Sequence, residues 1–100
     1  MGKQVNAPLI TNIRKAMAMS GFDDVSHVGI IGRDGYDEIR IDSPKAYAAA
    51  IADSSIVLNT LRFADKGVTG VYGKAIIGGV KAKKANSVTR LGILAHIPKK

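Results

Sequence analysis

Cysteine is absent from the sequence, and so is tryptophan. The first absence excludes disulfide scaffolds, thiolate metal sites, cysteine nucleophiles and thiol redox chemistry together, so the fold must be held by packing. Long apolar runs are missing too. Nothing approaches the roughly 18 to 20 residues of a membrane span, and "MGKQVNAPLITNIRKAM" lacks the unbroken apolar segment of a signal peptide. "MGKQVN" offers Asn6 where a myristoylation signal wants Ser or Thr. The expectation is a soluble protein without membrane contact, cytoplasmic or, if phage-derived, in the host cytoplasm or the virion.

Catalytic signatures are equally scarce. There is no P-loop, no dinucleotide fingerprint and no Gly-x-Ser-x-Gly. His27 and His96 are far apart, each inside a predicted strand. Asp23-Asp24 reads as a polar turn after Gly21. Asp37-Glu38 is an adjacent pair on a predicted strand, where neighbours point to opposite faces and suit neither a metal nor an acid/base couple. The chain is therefore read as no enzyme, with no catalytic, cofactor or metal residue nominated.

Acid is missing from both ends. Residues 1–22 carry Lys3, Arg14 and Lys15 alone, and residues 66–100 carry Lys66, Lys74, Lys81, Lys83, Lys84, Arg90, Lys99 and Lys100 alone. All eight acids lie between, so a net charge of +7 is built from segments of +3, −4 and +8. Such a split predicts a positive face or arm in the last third.

What is present suits one domain over residues 1–100, long enough to bury a core of its own. Asn6 predicts a helix cap with Pro8 in the opening turn, followed by an inward stripe of Leu9, Ile10, Ile13, Ala16 and Met17, and Gly21 as the stop. In "HVGIIGRDGYDEIRID" a two-residue type I′ turn at Asp34-Gly35 pairs Arg33 with Tyr36, Ile30 with Ile39 and Val28 with Ile41. Val28, Ile30, Ile39 and Ile41 then share one face, and Glu38 and Arg40 the other, so turn and hydrophobic pattern select the same register.

Ser43-Pro44 reads as N-cap and first residue of an Ala-rich helix to about Phe63, with Tyr47, Ile51, Leu58 and Leu61, and Ala50 and Ser54 between them, on one face. Asp53-Ser54-Ser55 offers an internal cap that would divide it in two; one continuous helix is the preferred reading. Tyr47, Phe22 and Phe63 are expected in the core. "VTGVYGKAII" and "SVTRLGILAHIP" read as strands, joined by the lysine-rich "GGVKAKKANS" at residues 78–87. The fold class is α+β, a helix–hairpin–helix–hairpin (αββαββ) domain with two helices packed on antiparallel sheet. "VGIIGRDG" faintly echoes "KAIIGGVK", which hints at two related halves.

"IIGRDG" resembles the Gly-x-x-Gly signature of KH domains, whose loop grips single-stranded phosphates. Against that, "YDEIRID" alternates like a strand where the family has a helix, the next aliphatic arrives one residue late at Ile39, and Asp34 would face phosphate. The hairpin turn is the better reading and no family membership follows.

The basic hairpin carries the functional expectation: a nucleic-acid-binding accessory protein of phage or bacterial type, contacting phosphates with little sequence preference. Its candidate residues are Lys74, Lys81, Lys83, Lys84 and Arg90, with the basic tail of residues 98–100 (Lys99, Lys100), and Arg14 and Lys15 if the first helix lies on the same side. Because aromatic interleaving is thin, with Tyr36 beside one turn and Tyr72 on the third strand, duplex DNA is favoured over RNA. The rival reading is a protein–protein module, a virion assembly component or a small inhibitor docking on an acidic protein, and a homo-oligomer is possible on either view.

Overall fold

The computed structural model describes the backbone of residues 2–77 and 89–99, and the side chains of 7–75 and 90–99. Two helices and four strands follow in the order α1 (Gly2–Met19), β1 (His27–Gly32), β2 (Tyr36–Asp42), α2 (Pro44–Ala64), β3 (Gly70–Ile77) and β4 (Thr89–Pro98). This is the expected αββαββ arrangement, an α+β domain with one antiparallel sheet in the order β1-β2-β4-β3. In that order each β-hairpin contributes one central strand and one edge strand. The two halves therefore meet at the antiparallel β2–β4 pair.

The first hairpin has the register its sequence predicts, with Ile30 opposite Ile39 and Val28 opposite Ile41. Its turn differs from expectation. Gly35 has φ +91°, but among the described residues none other than glycine has positive φ, so Asp34 is not in the left-handed region and the type I′ form is excluded. Glycine at the second central position supplies that positive φ without steric cost, and the Arg33 amide donates to the Tyr36 carbonyl at 2.8 Å across the turn.

Alternation assigns the two sheet faces. Val28, Ile39, Ile41, Val71, Ile93 and Ala95 point to the helix side and are buried, together with Ile13, Ala16 and Met17 of α1 and Ala46, Ala50, Val57 and Leu61 of α2. Each large aliphatic removed from water in this way contributes about 1.5–3 kcal/mol before entropy is charged against it. The α1 stripe of Ile13, Ala16 and Met17 is as the spacing predicts, with Leu9 and Ile10 packed at its margin. The helix itself starts earlier than expected, at Gly2 rather than after Asn6, and keeps Pro8 inside it. A proline in a helix interior removes one backbone bond without forbidding the helix on either side.

The α2 helix begins as the sequence indicates. Ser43 is its N-cap, accepting from the Ala46 amide at 3.0 Å, and its hydroxyl donates to Asp24 Oδ1 at 2.5 Å. Asp24 also accepts from the Lys45 amide at 2.9 Å, so it ties the preceding loop to the helix N-terminus. Helical continuity, however, fails at Asp53, whose backbone is extended. Its carboxylate accepts from the Ser55 hydroxyl at 2.7 Å and the Ser55 amide at 3.1 Å, which caps the second segment from within.

Two expectations are corrected around that break. Ser54 is exposed, and Ile51, which precedes the break, is 63% exposed although its Cδ1 lies with Tyr47 over Gly73 on the sheet side. Phe63, expected in the core, is 82% exposed, because Val57, Thr60 and Leu61 take the inward positions after the break. Phe22 is buried and Tyr47 half-buried, nearer to expectation.

Candidate functional site

The helices cover one face of the sheet. The opposite face bears no element among the described residues, and the register lays its side chains out in rows. One row reads His27, Asp42, Gly92, Lys74 from β1 to β3; the next Gly29, Arg40, Leu94, Tyr72; the next Ile31, Glu38, His96, Gly70. Tyr36 and Pro98 extend the face toward the first turn, and Arg90 extends it at the other end of β4.

Three rings meet on this face. The Tyr36 and His96 rings stand edge-to-face with centroids 4.9 Å apart and planes at 82°. Tyr72 lies on the other side of His96 at 5.6 Å, tilted by 53°. They are diagonal neighbours on three adjacent strands, the relation in which aromatic side chains reach one another across a sheet. Tyr72 is 46% exposed, while Tyr36 and His96 are half-buried. Leu94, between Arg40 and Tyr72, is buried although it faces away from the helices.

Charge on the face is asymmetric. Arg33 meets Glu38 at 3.0 Å and Arg40 meets Asp42 at 2.9 Å, so each carboxylate is held by an arginine of its own hairpin. Lys74 and Arg90 pair with no carboxylate among the described residues. Both are exposed, and they sit close to the strand ends Ile77 and Thr89 that the lysine-rich segment joins. A cleft of about 650 Å³ opens at this end, lined by Ser26, His27, Arg40, Asp42, Pro44, Arg90 and Leu91.

The nominated residues divide accordingly. Lys74 and Arg90 share the helix-free face. Lys99 does not join them: its ammonium donates to the Arg33 carbonyl at 3.0 Å and lies 3.6 Å from Asp37, a residue on the helix side of β2. Arg14 and Lys15 are exposed on α1, in the helix layer behind the sheet, so the first helix does not lie on the same side. Lys15 borders a second, more apolar cleft of about 500 Å³ with Asn12, Ala16, Met19, Ser20 and Phe63, where Met19 is 87% exposed. Lys81, Lys83, Lys84 and Lys100, and the predicted loop at 78–87, lie outside the described residues.

Sequence reasoning missed the aromatic trio and the contribution of Arg33 and Arg40. Alternation along β2 sets Tyr36 on the face of Glu38 and Arg40, but bringing Tyr36, Tyr72 and His96 together needs β4 to be inserted between β2 and β3. No linear spacing encodes that order.

Among the described residues no three His, Cys, Asp or Glu side chains gather as a metal site, and no helix is long and apolar enough to cross a membrane. The fold and this face define a small α+β domain with one side of its sheet packed and the other carrying cations and rings. No protein-family model matches the chain, and no curated protein matches it in sequence.

Proposed function

We propose that the chain is a non-enzymatic nucleic-acid-binding protein whose helix-free sheet face meets the phosphate backbone. The observation that carries this reading is the placement of Lys74 and Arg90, two cations without a carboxylate partner among the described residues, on the open face. They flank the segment to which the sequence assigns Lys81, Lys83 and Lys84, and no acid follows Asp65 anywhere in the chain. Cations gathered on one surface displace the condensed counterions of a nucleic acid, and the release of those ions supplies affinity with little sequence information.

The test is fluorescence anisotropy with labelled single strands and duplex across a salt series. Binding should weaken steeply as salt rises. The Lys74→Gln/Arg90→Gln double variant should bind more weakly to every sequence and lower the log–log salt slope by roughly one to two. Neutralising Lys81, Lys83 and Lys84 together should do the same in the same direction. Absence of binding at low salt, together with concentration-dependent self-association, would overturn the proposal in favour of a protein–protein module, for which the exposed Met19 and Phe63 are the surface to mutate first.

A further inference from the structure

Resting on that reading, we infer that the occupant of the helix-free face is single-stranded nucleic acid, its bases stacked on Tyr72, His96 and Tyr36. The rings run diagonally across three strands, from Tyr36 on β2 through His96 on β4 to Tyr72 on β3. Two residues further along β3, on the same face, stands Lys74. A strand that stacks on the rings is thereby led toward the basic end of the sheet.

Several features fit unpaired bases and not a duplex. In a duplex the base faces are already covered by their neighbours, so exposed rings gain nothing from them; unstacked bases offer a free face to any aromatic surface. His96 packs edge-to-face on Tyr36 and at a tilt on Tyr72, so the ring cluster is assembled before a ligand arrives, which reduces the ordering cost of binding. Room exists beside the imidazole. Gly70 sits directly across from His96, and a Cβ built there would meet no atom within 4 Å. Glu38, the carboxylate across β2 from His96, is occupied by Arg33 at 3.0 Å and so does not oppose a phosphate with its full charge.

The experiment uses the full chain with labelled oligo(dT), oligo(U) and a duplex of matched length. Because there is no tryptophan and only three tyrosines, intrinsic tyrosine emission reports stacking directly, and a Tyr47→Phe background leaves Tyr36 and Tyr72 as the emitters. Single strands should quench that emission and the duplex should not. Tyr72→Ala should weaken single-strand binding roughly tenfold, leave the salt slope and duplex affinity unchanged, and be rescued by Tyr72→Phe. The ranking of oligo(dT) and oligo(U) then says which of the two strands the chain prefers. Unquenched emission with Tyr72→Ala binding as the parent does would overturn the stacking platform while leaving the phosphate proposal standing. Loss of all binding in the parent chain at low salt would overturn both.

Discussion

The two faces of this sheet are made by the same four strands and obey different rules. On the helix side the positions hold Val28, Ile39, Ile41, Val71, Ile93 and Ala95, all buried and aliphatic. On the other side the intervening positions hold Tyr36, Glu38, Arg40, Tyr72, Lys74, Arg90 and His96. The first face can be explained wholly by the removal of apolar surface from water. The second cannot, since Tyr72 is exposed, and so are Lys74 and Arg90, which have no carboxylate partner among the described residues; the proposed nucleic acid would account for them.

Substitution should separate the faces cleanly. Ile39→Ala, at a fully buried position, should cost about 2–5 kcal/mol, from lost transfer energy and the cavity left behind. Tyr72→Ala, by contrast, should leave the urea midpoint nearly unchanged while impairing single-strand binding. Equal destabilisation by the two variants would mean that the aromatic face is a second core, and the contrast would collapse.

Gly92 tests the boundary between them. It lies opposite Asp42, and a Cβ built there would stand 2.2 Å from the Ile41 carbonyl oxygen and 3.0 Å from the Asp42 Cα. Backbone cannot swing aside as a side chain can, so Gly92→Ala should cost at least about 1–3 kcal/mol through forced separation of the two strands. Because Gly92 also pairs directly with Lys74 on β3, this variant should also weaken nucleic-acid binding, unlike Ile39→Ala measured where it remains folded. A Gly92→Ala protein with parental stability would show that the close approach relaxes without penalty.

How much of this was legible in the sequence depended on the range of the interaction. The first hairpin was readable because Asp34-Gly35 and the alternation of Val28, Ile30, Ile39 and Ile41 each select one register, although the turn adopts another form from the one expected. The cap at Ser43 and the α1 stripe are likewise local. Continuity of α2 is not decided by local sequence, because its alanine-rich composition favours one helix while the three residues Asp53-Ser54-Ser55 supply a competing cap. After the break Val57, Thr60 and Leu61 take the inward positions, which leaves Phe63 exposed at the helix end. Lys74 and Arg90 were legible as charge, whereas the ring trio depends on β2 and β3 both flanking β4, which is a property of the whole chain.

The smallest effects are expected at the extremes of pH, and they fall in the helix layer, away from the helix-free face. Hydrogen bonds from the Ser55 hydroxyl and then the Ser55 amide hold the Asp53 carboxyl below the ordinary carboxylate range. Unfolded, that carboxyl titrates near about 4. Its contribution is therefore complete above that pH and is lost as pH falls through the lower folded value. Asp53→Asn keeps an acceptor for Ser55 but binds no proton, so the acid limb of the stability curve should flatten, at low and high salt alike. Asp23 and Lys45 form an exposed ion pair at 2.8 Å, in which the hydrogen bond and then the opposite charge lower the Asp23 pKa and raise that of Lys45. The part carried by Asp23 should fade in acid and the part carried by Lys45 as pH rises through its raised folded pKa, both vanishing in high salt because exposed charges are screened. Urea midpoints measured from neutral to acid pH at two salt concentrations distinguish the cases. Asp53→Asn should flatten the curve in both salts and Asp23→Asn only in the lower, with single-strand affinity at neutral pH unchanged by either. A loss of affinity in Asp53→Asn would mean that the break in α2 is coupled through the sheet to the ring face, and that the two sides are not independent.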